Sequence, residues 1–315
     1  MRIFRHYNDV TGAYKGAVVA VGNFDGVHLG HQALIGEARR MAEERRAPFG
    51  VLAFEPHPQE FFRPSAESFR LTPFRAKARL IAGLGADVLF ALAFDAEMAA
   101  KTAPDFVIDV LVGGLAVGAV VVGRDFQFGK GRAGNTTMLT YMGEMEGFGV
   151  TLFDPVLAHG SDKISSTEIR DALKSGKPDV AARLLGHPWA VEGRVEHGDK
   201  RGRTIGFPTA NMRLVDCLQP AFGIYAVRAK VFEDDAVVSE HDGVASFGIR
   251  PMFETPTPML ETYLFDFSGD LYGKHMAVEF IAYLRPEQKL DGLEALKAQI
   301  AKDEEDARAA LMATR

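Results

Sequence analysis

Apolar residues follow two different rhythms along this chain. Up to about residue 186 they come in short, near-continuous runs, at 17–21, 49–54, 86–94 and 116–122. Between the runs lie stretches where apolar positions recur every three or four residues, at 32–46, 73–84 and 104–111. Near-continuous runs of this length read as strands covered on both faces, and the spaced stretches as helices that cover them. Pro73 and Pro104 stand where a first helical turn tolerates proline. The alternation predicts a doubly wound, Rossmann-like α/β domain with helices at 165–174 and Pro178–Leu185 closing it. After Gly186-His187-Pro188 the rhythm changes. Runs rich in β-branched and aromatic residues at 189–195, 224–232, 237–247, 260–267 and 276–284 are bounded by Gly, Pro and Asp, which predicts a small antiparallel β-barrel. A final helix, Leu293–Met312, is expected to pack through Leu293, Leu296 and Ile300.

Length and charge narrow the picture. A chain of 315 residues favours two domains, here 1–186 and 187–315. The net charge of −6 leaves no basic footprint, so no nucleic-acid partner is expected. One cysteine excludes a disulfide framework and fits a reducing cytoplasm. Residues 1–8 are too polar for a signal peptide, and the longest apolar stretch, 111–122, is short and broken by glycine, so no membrane span is expected.

Chemistry concentrates first in Gly22-Asn23-Phe24-Asp25-Gly26-Val27-His28-Leu29-Gly30-His31. A glycine-rich turn from strand to helix is where an α/β sheet presents backbone N–H groups to phosphate. His28 and His31 add two imidazoles able to follow the charge that develops when a phosphoanhydride breaks. A metal site would need further ligands, and Cys217 with the scattered histidines offers no evident set. The segment resembles the HxGH nucleotidyltransferases, which pass a nucleoside monophosphate to an acceptor and release pyrophosphate.

Three further segments join it. The glycine-rich run 123–135 follows a predicted strand, and Gly131 after Lys130 excludes a Walker A loop. It reads either as a flexible surface loop or as a nucleotide loop in which Asp125 bonds a ribose hydroxyl and Phe126 or Phe128 faces a flat ring. Ser165 and Glu168 have capping-box spacing, and the same helix start, with Ser166, Thr167 and Arg170, suits an anion. Phe54-Glu55-Pro56-His57-Pro58 sets Phe54 and His57 among rigid prolines, where they could wall a pocket for a planar acceptor. Taken in chain order, the four segments resemble the adenylyltransferase module of prokaryotic bifunctional FAD synthetases, over residues 17 to 185. The resemblance implies that His28 and His31 act on the reacting phosphates. It also implies that Gly22, Asn23, Phe24, Asp25, Gly123, Asp125, Ser165, Ser166, Thr167 and Arg170 hold nucleotide or phosphate.

In the second half, the run 193–211 carries four glycines and a cluster of basic residues. It reads as a basic hairpin loop or as a flap over ATP phosphates ending in Thr209 and Asn211, whose oxygens suit Mg²⁺. No Walker A or protein-kinase His-Arg-Asp occurs. The stretch from Gly202 to Asn211 resembles the riboflavin kinase motif Pro-Thr-x-Asn, and the resemblance extends through 223–227, 261–264, 270–273 and 284–287. It implies that Gly202, Arg203, Gly206 and Pro208 bind nucleotide, that Thr209 and Asn211 hold the metal, and that Glu261 is the base for the riboflavin 5′-hydroxyl. Read without the resemblance, Glu261 is a carboxylate on a strand's solvent face. Arg285, near the acidic final helix, reads equally as a structural ion pair. Ser246 and Met252 depart from the Asn and Thr usual in that family.

The expected protein is a cytoplasmic enzyme using ATP, riboflavin and FMN as substrates, with Mg²⁺. Two other readings stay open: another adenylyl or cytidylyl transferase with a non-catalytic barrel, and a flavin carrier without turnover.

Overall fold

Strands apolar on both faces build the first of two compact units. The computed structural model describes residues 1–64, 68–156, 163–197, 207–214, 216–249 and 258–314. Unit one comprises residues 1–67 and 74–165; unit two comprises 68–73 and 166–315. The strands of unit one are β1 (Arg2–Phe4), β2 (Val18–Val21), β3 (Phe49–Glu55), β4 (Val88–Ala93), β5 (Ala119–Gly123) and β6 (Gly149–Phe153). Its helices are α1 (Leu29–Arg45), α2 (Pro58–Phe62), α3 (Phe74–Gly83), α4 (Ala96–Ala100), α5 (Ala103–Asp105), a π-helical segment Phe106–Gly114, and α6 (Thr136–Glu146). The sheet runs β1-β4-β3-β2-β5-β6, with every pairing parallel.

Alternation along the central strands explains their near-continuous apolar sequence. Val19, Val21, Val120 and Val122 pack on one face with Phe106, Val110 and Leu111 of the π-helical segment. Val18, Ala20, Ala119 and Val121 pack on the other with Leu34, Ile35 and Ala38 of α1 and Ile81 of α3. The order of strands matters for function. From β2 the chain moves to β3 and β4 on one side, while β5 and β6 lie on the other. The carboxyl ends of β2 and β5 therefore flank a topological switch point, the place where open α/β sheets bind ligands. Segment 104–111, expected as one α-helix, divides into α5 and the π-helical segment.

Unit two holds α7 (Ser166–Lys174), α8 (Pro178–Leu185) and an antiparallel sheet of β7 (Trp189–Arg194), β8 (Thr209–Arg213), β9 (Gly223–Glu233), β10 (Ala236–Ile249), β11 (Pro258–Leu264) and β12 (His275–Arg285). The order is β7-β12-β9-β10-β11-β8. Its two edges meet through a bridge in which the Glu196 N–H donates to the Asn211 carbonyl at 2.8 Å, so the sheet curls into the expected barrel. Helices α7 and α8 pack with this unit, α8 lying against β7 and β12. Residues 68–73 belong here too. Trp189 Nε1 donates to the Leu71 carbonyl at 2.8 Å and the Leu218 N–H to that of Arg70 at 2.7 Å.

The last helix, α9 (Leu293–Met312), sits differently from the expectation. Leu293 and Leu296 are exposed, and the buried stripe is Asp303, Ala307 and Leu311. The cause is Arg285, whose Nε and Nη2 each reach the Asp303 carboxylate at 2.7 Å and draw that turn inward. Ala307 and Leu311 then cover Ile224, Ala226, Val244 and Ile281. Arg285 is thus the structural ion pair.

Candidate functional sites

The turn after β2 is held in an unusual backbone. Phe24 (φ 51°), Gly26 (87°) and Val27 (44°) all lie in the left-handed region, which costs a non-glycine residue about 1–2 kcal/mol. Neighbouring groups hold it there. Gln32 Nε2 donates to the Val27 carbonyl at 2.8 Å, and Lys77 Nζ to the Asn23 carbonyl at 3.0 Å. The Phe24 ring is buried over Gly22, where a Cβ would stand 3.0 Å from it, and meets the His31 ring edge-on at 5.3 Å.

His28 is the N-cap of α1: its Nδ1 accepts the His31 N–H at 3.3 Å. The two imidazoles stack, with centroids 3.5 Å apart and planes at 17°. Gly30 permits this, because a Cβ there would lie 3.2 Å from the His28 ring. The structure therefore brings Gly22, Asn23, Phe24, Asp25, His28 and His31 together at the end of β2. Among the described residues, no group of three or more His, Cys, Asp or Glu side chains is arranged to hold a metal.

Across the switch point, segment 123–135 after β5 is an ordered loop. Phe128 and Gly134 exchange both backbone hydrogen bonds, at 3.1 and 2.9 Å. Asp125 pairs with Lys163 at 2.5 Å, and this bond, with that ammonium's charge, holds its carboxyl below the ordinary range although burial opposes it. A Cβ on Gly123 would stand 3.0 Å from the Asp125 carboxylate. Phe126 stacks on Phe128 at 5.5 Å, Phe128 touches Phe106 at 5.7 Å, and Phe106 touches Phe54 at 6.2 Å. Three of the four flavin-facing candidates thus form one aromatic cluster. Phe128 is a buried core member, which leaves the half-buried Phe54 and Phe126 as its accessible faces. His57 is buried, and its Nδ1 caps α2 by accepting the Gln59 N–H at 3.1 Å.

The anion-site candidates divide between units: Ser165 ends the first, and Ser166, Thr167 and Arg170 open α7 in the second. Arg170 Nε donates to the Phe69 carbonyl at 2.7 Å, and its guanidinium lies 5.1 Å from the Phe69 ring.

In the barrel, register makes the site. Residues directly opposite in an antiparallel pair share a face. Glu261 on β11 lies opposite Asn211 on β8 and opposite Ser246 on β10, and Tyr263 lies opposite Thr209. Thr209, Asn211, Ser246 and Glu261 therefore share one face across three strands. Asn211 Nδ2 donates to the Thr209 carbonyl at 3.3 Å, while its Oδ1 is buried with no hydrogen-bond partner among the described residues. An orphaned amide oxygen beside a threonine suits a hard cation. Pro208 and Thr209 line a cavity of about 360 Å³ with Val195, Thr262, Leu264 and Tyr272. Gly202, Arg203, Gly206 and Met252 lie outside the described residues.

Sequence reasoning assigned no role to Glu287. Its carboxylate occupies the space a Cβ on Gly248 would take, and it is hydrogen-bonded to Ser246. Burial pushes its pKa up; the charge of Glu261 adds to the rise, and the Ser246 bond opposes it. It also missed Lys77, a buried lysine on the apolar stripe of α3. A lysine at an apolar helical position was the available signal.

Fold and sites together define a two-headed transferase: a nucleotidyltransferase unit with an imidazole pair at its switch point, and a barrel carrying oxygen donors beside a carboxylate. Family models agree, one described as FAD synthetase matching residues 11–168 and one as Riboflavin kinase matching 185–311. Among curated relatives, the "Bifunctional riboflavin kinase/FMN adenylyltransferase" of Escherichia coli K12 is 41% identical over 309 residues, covering 98% of this chain and 97% of its own. Those of Listeria monocytogenes (41%, covering 93% and 91%) and Haemophilus influenzae (38%, covering 98% and 99%) are similar. A solved structure described as "Crystal Structure of Macrolide-efflux Protein from Streptococcus pneumoniae" shares the fold at TM-score 0.85 and 30% identity, over 97% of this chain and 98% of that one. The chain belongs to the family of bifunctional riboflavin kinase/FMN adenylyltransferases. No helix among its described residues is long and apolar enough to cross a membrane.

Proposed function

We propose that the chain makes FMN and then FAD, with each reaction at its own site. In the barrel, Glu261 takes the proton of the riboflavin 5′-hydroxyl, and that oxygen attacks the γ-phosphorus of ATP, giving FMN and ADP. Thr209 and Asn211 would hold Mg²⁺, which when bound neutralises charge on the ATP phosphates. Pro208, with Gly202, Arg203 and Gly206, covers the nucleotide.

At the switch point, an FMN phosphate oxygen attacks the α-phosphorus of a second ATP. The α–β bond breaks and pyrophosphate leaves. His28 and His31 stabilise the charge that gathers on the phosphates, and the turn 22–25 cradles them. Asp125 positions the adenosine beside Gly123, and Phe54 and Phe126 face the flavin near His57 and Phe128. Ser165, Ser166, Thr167 and Arg170 take the pyrophosphate, Arg170 being anchored through Nε on the Phe69 carbonyl. The attacking oxygen belongs to the substrate, so no protein nucleophile is required.

The observation that carries this division is the placement of the imidazole pair in unit one and of Thr209, Asn211 and Glu261 on one barrel face in unit two. Functional modules 1–186 and 187–315, work in the cytoplasm, and no nucleic-acid or membrane partner belong to the same reading. The test is to incubate riboflavin, ATP and Mg²⁺ with His28→Ala or Glu261→Gln protein and separate riboflavin, FMN and FAD. His28→Ala is expected to stop at FMN, and Glu261→Gln to convert supplied FMN but not riboflavin. Equal loss of both reactions in either folded variant contradicts two separate sites.

A further inference from the structure

Lys77 is a buried charge that none of the roles above uses. It is 2% exposed on α3, between buried Ala76 and Ile81. Leucine or methionine would finish that stripe without the cost of burying an ammonium. From there its Nζ donates to the Asn23 carbonyl at 3.0 Å.

That carbonyl and the Phe24 N–H belong to one peptide, and cis bonds among the described residues are confined to Glu55–Pro56. In a trans peptide the carbonyl and N–H point in opposite directions. By gripping the carbonyl, Lys77 fixes the Phe24 N–H on the side away from α3. Phe24 sits at φ 51°, and rotating this one peptide plane would carry it out of the left-handed region. Such a rotation would also break the Lys77 bond, so the bond opposes the relaxation the backbone would otherwise favour.

We infer that Lys77 is a positioning residue for adenylyl transfer. Acting through the Asn23 carbonyl, it holds the 23–24 peptide in the strained orientation that offers the Phe24 N–H to the triphosphate. The inference rests on reading the His28–His31 turn as the adenylyl-transfer site.

The test uses the full chain with Lys77→Met and Lys77→Gln, and His28→Ala in parallel. FMN-to-FAD turnover, riboflavin phosphorylation and calorimetric binding of pyrophosphate are measured on each. Folded Lys77→Met is expected to lose at least tenfold in FAD-forming kcat and at least fivefold in pyrophosphate affinity, with riboflavin phosphorylation unchanged. A merely structural lysine would lower thermal stability without moving pyrophosphate affinity in the folded protein. Parental turnover and parental pyrophosphate affinity in Lys77→Met overturn the inference. Should Lys77→Met not fold, Lys77→Gln carries the test: weakened pyrophosphate binding supports it, and parental binding overturns it. If His28→Ala itself still makes FAD, the reading of the turn falls; if only the Lys77 variants behave as parental, that reading stands and the role of Lys77 falls.

Discussion

Adding one methyl group at Gly30 is expected to slow FAD formation without unfolding the protein. Gly30 is the second residue of α1. A Cβ there would stand 3.2 Å from both Cε1 and Nδ1 of His28. Comfortable carbon contacts lie near 3.5–4.0 Å, so the imidazole must give by about 0.4 Å. It has little room to do so, because it stacks on His31 at 3.5 Å and caps the helix through the His31 N–H. A misplacement of about 1 Å at reacting groups costs on the order of 100-fold, so a shift of this size should cost about tenfold. That is roughly 1.4 kcal/mol of barrier. Stability should change little: alanine in a helix is favoured over glycine by up to about 1 kcal/mol, which offsets most of the crowding. Gly36, in the same helix, has nothing within 4 Å of its Cβ position and serves as the control. Gly36→Ala should gain about 0.5–1 kcal/mol and leave both reactions alone. The assay is FMN-to-FAD conversion under saturating ATP, with riboflavin phosphorylation and thermal unfolding on the same samples. If folded Gly30→Ala makes FAD at the parental rate, the position of the His28 ring does not limit the reaction and the argument from the stacked pair is wrong.

Two further outcomes concern the barrel. Asp303→Ala strands the Arg285 guanidinium, which both Nε and Nη2 now tie to a buried carboxylate at 2.7 Å. The expected loss is about 3 kcal/mol by urea denaturation, and a loss below about 1 would mean that solvent already screens the pair. Glu287, held above its ordinary value of 4.5 chiefly by burial, folds more favourably protonated. Its contribution is full below the unfolded pKa and fades as pH rises through the raised folded one. Relative to Glu287→Gln, the parent should therefore lose stability as pH climbs from about 4.5 toward neutrality, read from urea titrations across that range. A parent that gains on the variant over this range has the sign reversed.

The sequence was most legible where burial is two-sided or a helix is bounded by its own chemistry. The runs that became β2, β3, β4 and β5 are apolar at nearly every position because alternate residues serve different cores. Pro178–Leu185 and Leu293–Met312 stand at the expected bounds. β1 escaped notice because its three residues bury only Phe4. β8 was hidden in the glycine-rich basic run: Ala210 and Met212 face inward, but Thr209 and Asn211 break any apolar rhythm. The stripe of α9 was misplaced because helical periodicity counts leucines, and Asp303 is buried by a partner on a distant strand.

The candidate sites divide along the same line. The turn at 22–31 could be read from ten consecutive residues because its backbone strain, its cap and its imidazoles are all local. What buttresses it is not local, since Lys77 comes from a helix 54 residues on. The barrel face depends still more on pairing. Ser246 was visible in the sequence only as a departure from a family pattern, with no way to weigh it. Register places it directly across from Glu261, and its side chain bonds Glu287. A serine there reaches one carboxylate while sitting beside another, so the substitution acts next to the proposed base rather than at a remote flavin contact. Its consequence should therefore appear in the pH dependence of riboflavin phosphorylation before it appears in riboflavin affinity.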